Sequence, residues 1–209
     1  MPKKALPKTE QPFLEKESIK NCSFTESKLF DLHIFKTGAM YQPAYIRKHG
    51  LIFTDNSLEW LKTLQDESVD LIFADPPYNI KKADWDKFDS QEEYIEWSLQ
   101  WIKESARILK PTGSLYICGF SEILSDLKHP AMRYFSGCKW LIWHYRNKAN
   151  LGNDWGRSHE SILHFRKTKK FNLNIDEIRI PYGNHTLKYP SHPQAESSQY
   201  SNGKKATPI

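Results

Sequence analysis

The feature that most constrains this chain is an apolar run, Val69 to Phe73, which leads directly into the segment Ala74-Asp75-Pro76-Pro77-Tyr78. A short apolar run of this kind predicts a buried strand. Each proline fixes its own φ and lacks a backbone N–H, so the chain leaves the sheet there. In open α/β sheets, ligands bind beyond the carboxyl ends of strands. The pattern therefore predicts an α/β fold with a site at Asp75, where a carboxylate, a rigid carbonyl and a ring suit a planar amine.

The tetrapeptide Asp75-Pro76-Pro77-Tyr78 resembles the catalytic motif of S-adenosylmethionine-dependent DNA amino-methyltransferases, which methylate N6 of adenine or N4 of cytosine. Asp at the first position resembles the adenine branch. The resemblance implies a Rossmann-like sheet and catalytic roles for Asp75, Pro76, Pro77 and Tyr78, with the methyl donor bound close to Asp75. Related N-methyltransferases that act on RNA or protein carry a similar tetrapeptide, so an RNA adenine methyltransferase is an open alternative.

The segment before this strand predicts a short helix with Leu58, Leu61 and Leu64 on its apolar face. Asp55 or Ser57 is placed to cap that helix. The resemblance gives Asp55 a second reading, because an acidic residue at the matching position of the family lies near the adenine of the cofactor. A helix cap alone and a cofactor-binding residue are both open for Asp55.

Downstream, Gln91 to Lys110 has helical spacing, and the Lys-Pro-Thr-Gly segment at 110–113 is expected to end that helix. Ser114 to Cys118 then predicts a short buried strand. Two later runs, Lys139 to Arg146 and Glu160 to Phe165, predict an antiparallel pair around a polar loop. These segments match the family in order, so the resemblance covers about residues 50–170, and the predicted sheet is Rossmann-like, incomplete and closed by an antiparallel strand pair.

Charge divides the chain into two unequal parts. Residues 128–209 hold 14 basic and 5 acidic side chains, whereas residues 1–127 hold 16 and 20. A basic half beside a mildly acidic catalytic half is typical of a polyanion-binding surface. Double-stranded DNA is therefore the predicted partner, although a solvated loop on a basic protein would show the same composition. The candidate nucleic-acid contacts are Arg146, Lys148, Trp155, Arg157, Arg166 and Lys167.

The two ends of the chain differ from its middle. Residues 1–20 are rich in Lys, Glu and Pro and predict a flexible tail, residues 45–170 form the predicted catalytic core, and residues 171–209 predict a loop-rich segment that starts a recognition region. No run reaches the length of a membrane span, and no signal peptide is visible. The three cysteines have no paired spacing, which favours reduced thiols and no metal site, so we expect a bacterial cytosol or nucleoid.

The sequence departs from the family in its glycines. Rossmann-type methyltransferases hold the methionine part of the cofactor with a Gly-rich loop, and none of the nine glycines here forms a Gly-x-Gly. The chain resembles the permuted branch of the family, in which the catalytic motif comes first, and it stops after the late motifs. We therefore expect weak cofactor binding by this chain alone and a second polypeptide or C-terminal part that carries the Gly-rich loop. A homodimer and a catalytically silent DNA-binding remnant are the alternatives.

Overall fold

The computed structural model describes residues 34–37, 43–47, 49–145 and 156–178. Residues 1–20 and most of 171–209, for which a tail and a recognition segment are predicted, lie outside them. The strands and longer helices of the described residues are β1 (Tyr45–Arg47), β2 (Gly50–Ile52), α1 (Ser57–Lys62), β3 (Val69–Ala74), α2 (Gln91–Ile108), β4 (Leu109–Gly119), α3 (Ser121–Ala131), β5 (Gly137–His144) and β6 (His159–Arg166). Single turns of 3₁₀ helix occupy Asp84–Asp86, Met132–Tyr134 and Ile175–Ile178.

The main sheet has the strand order β3-β4-β6-β5. β3 and β4 run parallel, whereas β6 is antiparallel to both β4 and β5. The predicted α/β sheet with a closing antiparallel pair is confirmed. The sequence did not predict α3, or the small hairpin that β1 forms with β2.

The hydrophobic core lies on one face of the sheet, under α2 and α3. Alternate residues of β4 and β6 project towards these helices, because successive side chains of a strand point to opposite faces. Ile102 of α2 and Leu127 of α3 are both fully buried against them. Burial of each such side chain stabilises the fold by about 1.5–3 kcal/mol. The fully buried strand residues of this face are Leu115, Ile117, Leu163 and Phe165.

The opposite face is open at β3. Leu71 and Phe73 point away from the helices and are 57% and 56% exposed. Within the described residues, β3 has only β4 as a neighbour, so its outer edge is unpaired. Parallel strands are normally covered on both faces, and a free apolar edge promotes association.

The junction between α2 and β4 differs from the sequence prediction. The helix ends at Ile108, and the strand begins at once with Leu109. The residues predicted as a helix-ending turn instead bulge out of the strand, since Val69 pairs with Leu109 while Leu71 pairs with Ser114. Gly113 sits in this bulge, where an added Cβ would lie 3.0 Å from the carbonyl oxygen of Asp70. Pro111 and Gly113 therefore interrupt the pairing of β4 with β3, and they do not shift the start of β4 to a later residue.

The cap of α1 also differs from the prediction. Asn56, rather than Asp55 or Ser57, caps the helix through its side chain, which accepts hydrogen bonds from the N–H groups of Leu58 and Glu59 at 3.0 and 3.2 Å. From the described residues, Asp55 accepts only the N–H of Asn56, at 2.7 Å. The helix therefore does not need Asp55 as its cap. No helix in the described ranges is both long enough and apolar enough to traverse a bilayer.

Candidate active site

The tetrapeptide 75–78 lies at the carboxyl end of β3, as predicted, and forms one wall of an open cleft of ≈ 410 Å³. The loop that follows it, residues 79–88, supplies a second wall. Phe120, directly after β4, and Glu160, near the start of β6, complete the lining. The lining residues beyond the tetrapeptide are Ile80, Lys82, Trp85, Asp86, Phe120 and Glu160.

The ring of Tyr78 stands beside the carboxylate of Asp75. Its hydroxyl donates a hydrogen bond to Oδ1 of Asp75 at 2.7 Å, and its ring packs edge-on against Phe120 with 5.0 Å between centroids. Burial first, and then this hydrogen bond, raise the pKa of Tyr78 far above its usual range. The hydroxyl is therefore a permanent donor, and Oδ2 of Asp75, a residue that lines the cleft, accepts no hydrogen bond from the described residues.

The two prolines present their carbonyls differently. The Pro77 carbonyl accepts a hydrogen bond of 2.8 Å from the hydroxyl of Tyr94, a side chain of α2 that is 1% exposed. The Pro76 carbonyl accepts no hydrogen bond from the described residues. Pro77 is therefore used to fix the loop, and Pro76 keeps an acceptor for a ligand.

A buried carboxylate that the sequence did not single out anchors the loop. Asp86 is 1% exposed, and its oxygens accept the backbone N–H groups of Asn79 at 2.7 Å and of Ile80 and Lys82 at 3.2 Å each. Asn79 and Lys81 have φ values of 55° and 58°, which non-glycine residues rarely adopt. The available sequence signal was an acid seven residues after Asn79, but such an acid is equally compatible with a solvated loop residue.

Glu160 is a second carboxylate of the cleft that sequence reasoning did not assign to the site. Its Oε1 accepts a hydrogen bond of 3.2 Å from the hydroxyl of Tyr145, while its Oε2 is buried and has no hydrogen-bond partner in the part of the chain that the structure describes. Burial, together with the charges of Asp75 and Glu160, raises the pKa of the neighbouring Cys118 thiol to about 11. The cleft therefore holds a negative field that favours a cationic ligand.

Phe120, Arg157 and Glu122 form a layer behind Tyr78. The guanidinium of Arg157 lies 3.8 Å from the centroid of Phe120 and pairs with Glu122 at 2.9 Å. Since Phe120 also contacts Tyr78, this layer supports the aromatic side of the cleft. Arg157 is thus close to the site, but part of its charge is already neutralised.

Asp55 lies in a smaller pocket of ≈ 260 Å³ with Leu58 of α1 and Trp97 and Trp101 of α2. The indole Nε1 of Trp101 is buried and has no hydrogen-bond partner among the described residues. A carboxylate acceptor and apolar rings occur together in this pocket, a combination that suits a purine base.

Two of the predicted DNA contacts, Arg166 and Lys167, lie away from this cleft. Arg166 pairs with Ser114, and Ser114 pairs with Leu71, so Arg166 is level with Leu71 in the sheet. Leu71 lies four residues before Asp75, which is about 13 Å along the strand at the usual rise per residue. The ammonium of Lys167 donates to the carbonyl of Ala106 at that far edge. We therefore leave both residues out of the interface at the cleft. Arg146, Lys148 and Trp155 lie outside the described residues, and among those described no cluster of His, Cys, Asp or Glu could hold a metal ion.

Comparison with known proteins decides the family. A family model described as DNA methylase, of the N6/N4 methyltransferase group, matches residues 69–207 of this chain. The chain belongs to this DNA methylase family. The match begins at the first residue of β3 and includes the tetrapeptide at 75–78.

Curated relatives agree with the family. The type II methyltransferase M.HpaI of Haemophilus parainfluenzae is 36% identical over 62% of this chain and 43% of its own length. M1.MboII of Moraxella bovis is 37% identical over 61% and 50%, and the DNA adenine methyltransferase YhdJ of Escherichia coli K12 is 33% identical over 62% and 45%. The chain thus spans about half the length of the relatives it matches.

Solved structures support the fold. The PvuII DNA methyltransferase, which is cytosine-N4-specific, superimposes with a TM-score of 0.56 at 19% identity, covering 72% of this chain and 65% of that one. At this identity the likeness concerns the fold alone. The sheet is a Rossmann-like methyltransferase sheet with an antiparallel strand pair.

Proposed function

We propose that this DNA methylase transfers a methyl group from S-adenosylmethionine to N6 of adenine in double-stranded DNA, as a site-specific methyltransferase of a restriction-modification or epigenetic system. One observation carries the proposal: Asp75, Pro76 and Tyr78 line one open cleft, and no described residue donates a hydrogen bond to Oδ2 of Asp75 or to the Pro76 carbonyl. Such a protein works beside the chromosome, in the bacterial cytosol or nucleoid.

Asp75 and Pro76 make the target amine nucleophilic. The lone pair of an exocyclic amine is delocalised into its ring, which makes the nitrogen a poor nucleophile. Two acceptors, Oδ2 of Asp75 and the Pro76 carbonyl, each take one N–H and favour a more tetrahedral nitrogen whose lone pair points away from the ring. Holding the amine in this orientation supplies much of the barrier reduction. After transfer, Oδ2 of Asp75 accepts the surplus proton and passes it to water.

The residues present fit part of the cofactor. S-adenosylmethionine, when bound, supplies the electrophilic methyl group on a positively charged sulfur. The carboxylates of Asp75 and Glu160 make the cleft suitable for that cation. Asp55 suits the amino group of the adenine, and the indole rings of Trp97 and Trp101 in the same pocket suit its flat faces. Nothing in the 209 residues offers a Gly-x-Gly backbone for the methionine end.

Tyr78 provides the stacking surface for the target base. The amine inside a duplex cannot reach Asp75, so the adenine must leave the helix at a cost of a few kcal/mol. An aromatic ring at the cleft wall recovers part of that cost, since stacking of a base on a ring is worth about 1–3 kcal/mol. Arg157 adds a positive charge next to this wall.

The free edge of β3 supports the proposal of a partner segment. Leu71 and Phe73 expose apolar surface directly below the catalytic loop. A strand paired parallel to β3 would place its own carboxyl end next to Asp75, where a Gly-rich loop would complete the cofactor site. A second polypeptide, or sequence outside these 209 residues, is the proposed source, and a homodimer formed through this face is the alternative occupant.

A methyl-transfer assay tests the reaction. The 209-residue chain is incubated with either unmethylated plasmid DNA or RNA transcribed from it. Labelled S-adenosylmethionine is supplied at a concentration high enough to offset the weak cofactor binding expected of this chain alone, and the methylated nucleoside is identified by mass spectrometry. We expect N6-methyladenine in DNA. Asp75→Ala should abolish it, whereas Asp70→Ala, at the other end of β3, should not. N4-methylcytosine, a product confined to RNA, or full activity of Asp75→Ala would contradict the assignment.

A further inference from the structure

The side chain of Trp85 is exposed in an unusual position. It is 68% exposed, the highest value among the large hydrophobic residues of the described chain, and it lies at the mouth of the catalytic cleft. Ile80, on the same loop and in the same cleft, is 45% exposed. Tryptophan is enriched where proteins contact partners, because its large rigid ring buries much surface at little entropic cost.

The loop that carries Trp85 is held in place rather than free to collapse. Besides its three side-chain hydrogen bonds, Asp86 accepts the N–H of Lys81 through its own carbonyl at 3.1 Å. The Asn79 side chain accepts the N–H of Phe88 at 3.2 Å, which closes the loop at its base. Because Asp86 fixes the loop, the neighbouring Trp85 ring is held in solvent and is available to contact a ligand.

The charges around the ring identify the kind of ligand. Lys81 and Lys82 are exposed, Lys82 lines the cleft, and neither forms an ion pair among the described residues. Lys87 differs, since it pairs with Asp84. A planar apolar ring can stack on a base, and the two unpaired cations beside it can bind the phosphates on either side of that base.

We propose that residues 79–88 form a duplex-contacting loop, in which Trp85 stacks on the base next to the extruded adenine while Lys81 and Lys82 bind flanking phosphates. This rests on the proposed DNA adenine methyltransferase function and adds a residue that supports base extrusion. Tyr78 receives the base inside the cleft, and Trp85 occupies the duplex side of the same opening. Asp86 is a positioning residue, because it acts only through the loop.

Two fluorescein-labelled duplexes test the role of the ring. One is fully paired, and the other has a central adenine opposite an abasic site, which costs less to extrude. By fluorescence anisotropy, the full chain should bind the second duplex more than tenfold more tightly, and Trp85→Ala should reduce this preference by about tenfold, the value of one base–ring stack. Trp85→Phe should restore most of the preference, because it keeps an aromatic face.

Matched variants separate the lysines and the anchor. Lys82→Ala should lower the slope of log affinity against log salt by about 0.9 on both duplexes, whereas Lys103→Ala, an exposed lysine of α2, should leave it unchanged. Asp86→Asn should remove the preference and speed hydrogen exchange at residues 79–82, since an amide nitrogen cannot accept their N–H groups. Asp126→Asn, at an exposed acid of α3 outside the loop, should alter neither.

The outcomes distinguish the loop from the reaction. An unchanged preference in Trp85→Ala, or no preference in the wild-type chain, would overturn the loop's role while DNA binding and methyl transfer still stood. Loss of S-adenosylmethionine binding in Trp85→Ala, measured by calorimetry, with the duplex preference intact would reassign the ring to the cofactor. Failure of the wild-type chain to bind either duplex would overturn both the loop and the proposed function.

Discussion

The hydroxyl of Tyr78 and Oδ1 of Asp75 are joined by a hydrogen bond of 2.7 Å. Two residues of one motif are therefore linked to each other before any substrate enters. The bond occupies one carboxylate oxygen and fixes the angle of the other. It also holds the tyrosine ring against Phe120, so the acceptor and the stacking surface of the proposed amine site are set as a unit.

Substitutions at Tyr78 should separate the ring from the hydroxyl. We expect Tyr78→Phe to keep methyl transfer within about tenfold of the wild-type rate, because it keeps the ring and water can replace the hydroxyl as donor to the Asp75 carboxylate at this exposed bond. Tyr78→Ala should lose about 10- to 100-fold, because the base loses its stacking partner. Both rates are measured by label transfer to duplex DNA. A Tyr78→Phe loss as large as that of Tyr78→Ala would show that the hydroxyl, not the ring, is required.

The ion pair between Arg157 and Glu122 should tune DNA affinity. Glu122 is held ionised, because a backbone hydrogen bond and then Ser121 and Arg157 lower its pKa. Glu122→Gln frees the guanidinium and should tighten duplex binding, with a salt slope steeper by up to about 0.9. Arg157→Ala should weaken binding and also slow methyl transfer, since Phe120 loses its cover. Titrations at several salt concentrations check this, and identical slopes for all three proteins would exclude a phosphate contact by Arg157.

The open face of β3 should drive association. Leu71→Ser combined with Phe73→Ser removes two side chains that are more than half exposed and share one face. We expect the wild-type chain to sediment as concentration-dependent oligomers and the double variant to shift towards the monomer. Ile52→Ser is the control, since Ile52 is 57% exposed but belongs to the separate β1–β2 hairpin. Equal sedimentation of all three proteins would contradict the assignment of this face.

Because of His164, the free energy of unfolding should decrease as the pH falls from 6.5 towards 4.5. Burial, and then the charge of Arg166, lower the pKa of His164 to about 4, while its ring stacks on Tyr116 and its Nε2 lies 2.9 Å from Oγ of Ser114. Between pH 6.5, the ordinary pKa of histidine, and about pH 4, His164 is protonated in the unfolded chain but not in the folded chain. The free energy of unfolding should therefore be unaffected by this group above pH 6.5 and decline by an amount on the order of 2 kcal/mol as the pH falls towards 4.5.

Urea melts at pH 7 and pH 4.5 measure this difference. His164→Gln should show a smaller decline than the wild-type chain, because the titrating group is gone, while its stability at pH 7 is lower through the lost ring stack. His129→Gln, at an exposed position of α3, should follow the wild-type curve. A decline of equal size in His164→Gln would mean that other groups titrate in this window.

Much of the fold follows from local sequence patterns. The apolar run at 69–74 and the long helical period from Gln91 are signals within one element, and both elements lie where predicted. The helix α3 was missed, because Pro130 and two polar residues in its first turn weaken the pattern. The cap of α1 was assigned to the wrong neighbour, since Asp55, Asn56 and Ser57 are all good capping residues and only backbone geometry selects among them.

The site was predictable at its centre and not at its walls. The motif itself placed the tetrapeptide 75–78 at a strand end. Glu160, Phe120 and Asp86 reach the cleft from three other segments, and their roles depend on how β6, β4 and the loop fold back. Charge density alone grouped Arg166 with Arg157. The two residues lie near opposite ends of β6, so only Arg157 is close to the cleft.

The edge position of β3 has a dynamic consequence for catalysis. Half of the backbone N–H groups of an edge strand lack a protein partner, so this strand should have low hydrogen-exchange protection among the four strands of the described sheet. The residue proposed to perform the chemistry is thus attached to an element that opens locally at small cost. Pairing along that edge would lower the amplitude of this opening, and assembly would then act as an activator by raising the fraction of time that Asp75 is correctly oriented.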